Sequence, residues 1–207
     1  MGLTRTWINN KDSTRGKILG LPFMKTKPIN SWRIDLNSIS LETILNWGLK
    51  KRGANRMLMV LRMQGNRGRW YMDSHSAENW ITRNLDQFLI DKFLARGWPG
   101  VLLTESPAVV FVFRFTNDVK DIILDKEPKL ENWTHWRKPP LPEDICLFQS
   151  GGELPVFMSV THEKDAWLIS ETRPRLKGLS ADFSSAKDSF IFNGKYFCLP
   201  WKEEAMK

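Results

Sequence analysis

The sequence predicts an α+β fold: an antiparallel-rich sheet, a long central helix at about 77–96 packed on it, and a β-rich C-terminal part. Three observations carry this expectation. Trp80, Ile81, Leu85, Phe88, Leu89 and Phe93 recur at spacings of three and four, the period of one helix face. Two pairs of apolar runs flank that stretch, Met57–Met63 with Arg69–Met72 and Val101–Thr104 with Val109–Phe115, and strands joined by such short turns pair antiparallel. Near the C-terminus, Asn193-Gly194 separates Phe190-Ile191-Phe192 from Lys195-Tyr196-Phe197, the strongest short-range signal for a hairpin.

Taken in order, residues 1–31 form a basic extended arm, with Gly16, Gly20, Pro22 and Pro28 interrupting any period. Residues 32–126 make the α+β core. Its first helix starts at a Ser40 cap, buries Leu41, Ile44, Leu45 and Leu49, and stops at Gly53. Met57–Met63 is apolar at nearly every position, as a strand covered on both faces would be. Ser76 caps the central helix, with Glu78 in its first turn, and Gly97 and Pro99 end it. Val109–Phe115 is β-branched and aromatic throughout, the composition of an interior strand. Asn117 then caps a shorter helix over Val119, Ile122 and Ile123. Residues 127–143, with Trp133, Trp136 and the Pro139-Pro140-Leu141-Pro142 run, are a strap or linker. Residues 144–207 read as short strands around Cys146–Phe148, Val156–Val160 and Ala166–Ile169, plus the final hairpin, and can share the core of 32–126.

Charge is the most informative feature of the composition. The 207-residue chain is 42% hydrophobic and carries a net charge of +8. The charge is uneven: residues 1–69 hold 14 Lys or Arg against Asp12, Asp35 and Glu42, whereas acids slightly outnumber bases in the rest. Such a basic front end sets up a positive field that concentrates anionic partners. Cys146 and Cys198, with three scattered histidines, make neither a disulfide framework nor a zinc cluster. Early polar residues interrupt any secretory leader, and nothing approaches 18 consecutive apolar residues, so the expectation is an intracellular, cytoplasmic protein. Met1-Gly2-Leu3-Thr4-Arg5-Thr6 fits the loose myristoylation pattern, a match too short to change that expectation.

The leading functional expectation is a non-catalytic nucleic-acid-binding protein or a subunit of a nucleoprotein assembly. Lys50, Lys51, Arg52, Arg56, Arg67 and Arg69 would meet phosphates, and Trp70 would stack on a base. The partner is DNA or RNA. An alternative from another class is a protein-interaction module, an inhibitor or assembly subunit that meets an acidic protein through the same field. A third reading is a small nuclease at the turn holding His162, Glu163 and Asp165, where a histidine beside carboxylates can act as general base. Phosphate-loop, dinucleotide and nucleophile-elbow motifs are absent from the sequence, and no cofactor or metal is expected.

Overall fold

A computed structural model describes residues 30–62, 71–95, 97–102, 107–150, 155–176, 179–180, 191–192 and 195–196. In chain order its elements are β1 (Asn30–Ile34), α1 (Leu41–Arg52), β2 (Ala54–Leu61), α2 (Tyr71–Leu85), β3 (Leu89–Ala95), β4 (Gly97–Trp98), β5 (Val101–Leu102), β6 (Ala108–Arg114) and α3 (Asn117–Lys126). Then follow β7 (Glu143–Gln149), β8 (Pro155–Val160), β9 (Asp165–Ser170), β10 (Leu179–Ser180), β11 (Ile191–Phe192) and β12 (Lys195–Tyr196). Eight strands form one sheet in the order β10-β1-β9-β8-β7-β2-β6-β3, with every neighbouring pair antiparallel. The strands of 143–170 thus lie between β1 and β2. The short pairs β4–β5 and β11–β12 stand apart from this sheet.

The mixed α+β architecture stands, but the long central helix does not. Helix α2 covers 71–85, one 3-10 turn follows at Asp86–Phe88, and Leu89–Ala95 is a strand at the sheet edge. Leu89 and Phe93 satisfy a helical spacing of four, yet 89–95 also alternates: Leu89, Asp91, Phe93 and Ala95 are covered more than Ile90, Lys92 and Leu94. Pairing decides between the two periods. As a strand, this segment hydrogen-bonds along β6, whose backbone would otherwise form an open edge. Tyr71 and Met72, expected in a strand, instead open α2.

Two apolar layers sandwich the sheet. On one face Met57, Met59, Phe111, Phe113, Ile145, Leu147, Phe157 and Leu168 pack under α1, α2 and α3, which contribute Ile44, Leu45, Ile81, Leu85, Val119 and Ile123. The 127–143 segment lies on this layer through Leu130, Trp133 and Leu141, with Trp133 edge-on to Trp80 at 5.6 Å. On the other face Leu58, Val60, Val110, Val112, Cys146, Phe148 and Met158 pack with Trp98 of β4. Covered on both sides, Met57–Leu61 is 0–3% exposed, as its unbroken apolar run requires. Helix α1 approaches the sheet closely at Gly48, where a Cβ would meet Leu147 Cδ1 at 2.5 Å. Its ends are sealed by local chemistry: the Ser40 side chain accepts from the Thr43 N–H, and Gly53 takes the left-handed conformation at φ 62°. Among the described residues, no helix is long and apolar enough to cross a membrane.

Candidate functional site

The predicted basic residues that are described collect at one end of the sheet. Lys50, Lys51 and Arg52 fill the last turn of α1, where cations complement the helix dipole. Lys50 and Lys51 are exposed; Arg52 is half-buried, lies 5.8 Å over the Trp47 ring, and its carbonyl accepts from the Gln149 side chain. Gly53 then reverses the chain into β2, which brings Arg56 to the same end. In the sheet register Arg56 stands directly opposite Arg114 of β6. Arg114 is exposed and escaped the sequence reading, although it breaks the otherwise apolar run Val109–Phe115. Arg67, Arg69 and Trp70 lie outside the described residues. Two other cations of the basic third are neutralised by later carboxylates: Arg33 by Asp165 and Arg62 by Glu143.

A second constellation lies at the opposite end of β2, where β7 begins and β8 turns towards β9. A register irregularity between Leu58 and Val60 sets Val60 against Glu143 and Leu58 against Cys146, and Asp144 takes a positive φ of 56°. This break in the pleat lets the consecutive carboxylates of Glu143 and Asp144, both 0% exposed, converge instead of alternating. Asp144 is held three ways. Its Oδ2 accepts from Trp98 Nε1 at 2.8 Å, its Oδ1 from the Thr161 backbone N–H at 2.9 Å and from the Thr161 hydroxyl at 3.3 Å. Glu143 pairs with Arg62 through one oxygen and accepts from His135 Nδ1 at 2.6 Å through the other. His135 Nε2 is buried without a hydrogen-bond partner.

His162 closes this network. Its Nδ1 lies 3.9 Å from Asp144 Oδ1, its Nε2 3.7 Å from the exposed Glu163, and Arg62 Nη2 sits 3.3 Å from both ring nitrogens. The Asp144 carboxylate beside it raises the imidazole above the ordinary histidine value; partial burial and the Arg62 charge oppose it without prevailing. Of the three residues expected at this turn, the structure joins His162 to Glu163 but directs Asp165 to Arg33 on β1. The acids that matter to His162 are Glu143 and Asp144, distant in sequence and hidden from any local spacing.

Glu143, Asp144 and His162 present ligand atoms within 4.8 Å of one another, the spread of a metal-binding triad. The set fits an ion-pair network better than a cation site, because the Arg62 guanidinium already supplies positive charge against Glu143 and the imidazole. Cys146, fully buried beside Asp144, has its thiol pushed far up by desolvation and is no nucleophile. A cleft of about 560 Å³ beside Lys164 sets Arg33 and Lys164 among Asp35 and Glu131, so its charge is balanced. No family model, curated protein or solved structure matches the chain.

Proposed function

We propose that the protein binds nucleic acid as a subunit of a nucleoprotein assembly, through the basic end formed by α1, β2 and β6. The observation that carries this reading is the opposition of Arg56 and Arg114, with Lys50 and Lys51 exposed at the same end. Cations gathered at one end of the sheet concentrate a polyanion there. Phosphates meet Lys50, Lys51, Arg52, Arg56 and Arg114, with Arg67, Arg69 and Trp70 as further contacts. The protein's own chemistry is not needed for this role.

A titration of fluorescent duplex and single-stranded oligonucleotides tests it. Five neutralised phosphates give log affinity a slope of about −4.5 against log salt on duplex, and a shallower slope of about −3.5 on single strands. A slope near zero removes the proposal. A second reading, a protein-interaction module, draws support from the edge strand β3, where Ile90 and Leu94 are 50% and 58% exposed. Under that reading Ile90→Lys releases a bound protein and leaves oligonucleotide affinity untouched.

A further inference from the structure

We propose that His162, Asp144 and Arg62 form a metal-independent acid–base centre that cleaves RNA by attack of the ribose 2′-hydroxyl. This goes beyond the binding reading and adds a reaction to it. His162 has Nδ1 3.9 Å from the buried Asp144 and Nε2 3.7 Å from the exposed Glu163, so carboxylate charge faces both ring nitrogens. Its side chain is 18% exposed, whereas Asp144 is fully buried. Arg62 Nη2 stands 3.3 Å from the imidazole, and its guanidinium is fixed by Glu143 and stacked 5.5 Å over Trp98. Glu143 is fixed in turn by His135. A base and a cation are thus held side by side by a buried scaffold, at a pleat break of the kind that re-aims side chains at functional sites.

What the centre does not offer selects the substrate. Among the described residues the thiol beside it, Cys146, is buried and protonated. The guanidinium of Arg62 reaches both Glu143 and the imidazole, so a cation bound by those two groups would have to displace it. A base and a cation with no nucleophile of their own act on a substrate that brings its nucleophile. RNA does so at every nucleotide and DNA does not. His162 Nε2 removes the proton from the 2′-oxygen, that oxygen attacks the adjacent phosphorus, and the bond from phosphorus to the 5′-oxygen breaks. The departing oxygen takes a proton from water and His162 returns its own to solvent. The products are a 2′,3′-cyclic phosphate and a 5′-hydroxyl. Arg62 stabilises the extra negative charge on the pentacoordinate phosphorus. Trp136, 61% exposed and 4.6 Å from the His135 ring, offers a base a stacking surface beside the centre.

The centre and the basic end lie at the two ends of β2, about 25 Å apart at ~3.3 Å per residue, so the two proposals fail separately. The test uses the full-length protein in excess chelator with two labelled oligonucleotides, one all ribose and one with a single ribose in a deoxyribose chain. Cleavage of both, the second only at its ribose and with a cyclic phosphate end, is the expected result. His162→Ala should then slow cleavage about 10²–10⁴-fold while binding to an all-deoxy strand persists. Asp144→Asn should move the alkaline-rising limb of kcat/KM to lower pH, which loss of packing alone would not do. Arg56→Glu should raise KM and spare kcat. No cleavage by protein that still binds the oligonucleotides overturns this inference and leaves the binding reading intact; so does cleavage that needs magnesium, or that proceeds equally without the ribose. An His162→Ala protein that is folded by circular dichroism and fully active overturns it as well.

Discussion

Trp98 donates its indole N–H to the carboxylate of Asp144 across 2.8 Å, and both side chains are buried from solvent completely. The contact ties the small β4–β5 pair to the start of β7. Trp98→Phe keeps most of the ring but strips a donor from a buried carboxylate. A loss of about 1–3 kcal/mol is expected from the unmade hydrogen bond, with a smaller addition for the vacated volume. Urea denaturation measures it; a change of only a few tenths would mean that the Thr161 donors satisfy Asp144 by themselves.

His162 makes stability depend on pH in a defined direction. Its folded-state value is raised, first by the Asp144 carboxylate, so folding favours the protonated ring. That contribution is present in full below about 6.5, the unfolded value, and is lost as pH rises through the higher folded value. The groups that face the ring are Asp144 and Glu143 from β7, Glu163 from its own turn and Arg62 from the end of β2. Thermal melts from acid to mildly alkaline pH should show a decline over that window in the native protein and a flatter profile in His162→Asn. A decline of equal steepness in the variant would assign the effect to other groups.

Arg56→Glu separates stability from binding. The substitution replaces a like-charged pair across β2–β6 with an opposite-charged one, worth about 0.2–1 kcal/mol in favour of folding. Oligonucleotide affinity should move the other way, with the salt slope shallower by about one or more. If the denaturation midpoint and the affinity fall together, Arg56 serves the fold and not a polyanion.

Gly48→Ala should destabilise despite the better helix former. A methyl group there would stand 2.5 Å from Leu147 Cδ1, so the buried Leu147 side chain must shift to admit it. Overpacking costs about 1–3 kcal/mol, and the gain from Gly to Ala in a helix returns up to about 1. Pairing the change with Leu147→Val should recover part of the loss, and a double-mutant cycle in denaturant reads the coupling. Additive losses would place the strain elsewhere.

How much of this was legible in the sequence differs from element to element. Helix α1 was, because Ser40 and Gly53 mark its ends through their own hydrogen bonds and backbone angles. Strand β2 was, because an unbroken apolar run has only one use in a sheet covered on both faces. Leu89–Ala95 was not: its spacing suits a helix and a strand alike, and the backbone of β6 settles the matter from outside the segment. The same holds for the buried cluster. His162 could be picked out as a histidine among acids at a turn, but Glu143, Asp144 and Arg62 come to it only through the neighbour order β8-β7-β2. Local pattern encodes period and punctuation, and long-range pairing leaves no mark at a fixed spacing.

That neighbour order also bears on how the chain comes to be folded. Strands β2, β3 and β6 can meet once about half the polypeptide has been made. Strand β1, the first among the described residues, pairs there with β9 and β10, at the far side of the sheet. During synthesis it waits, unmatched, until β9 has been laid down, so the last seam of the eight-stranded sheet to close joins its first strand to its last two. Loop closure over such a span is slow, and Trp32 and Ile34 stay uncovered until it happens.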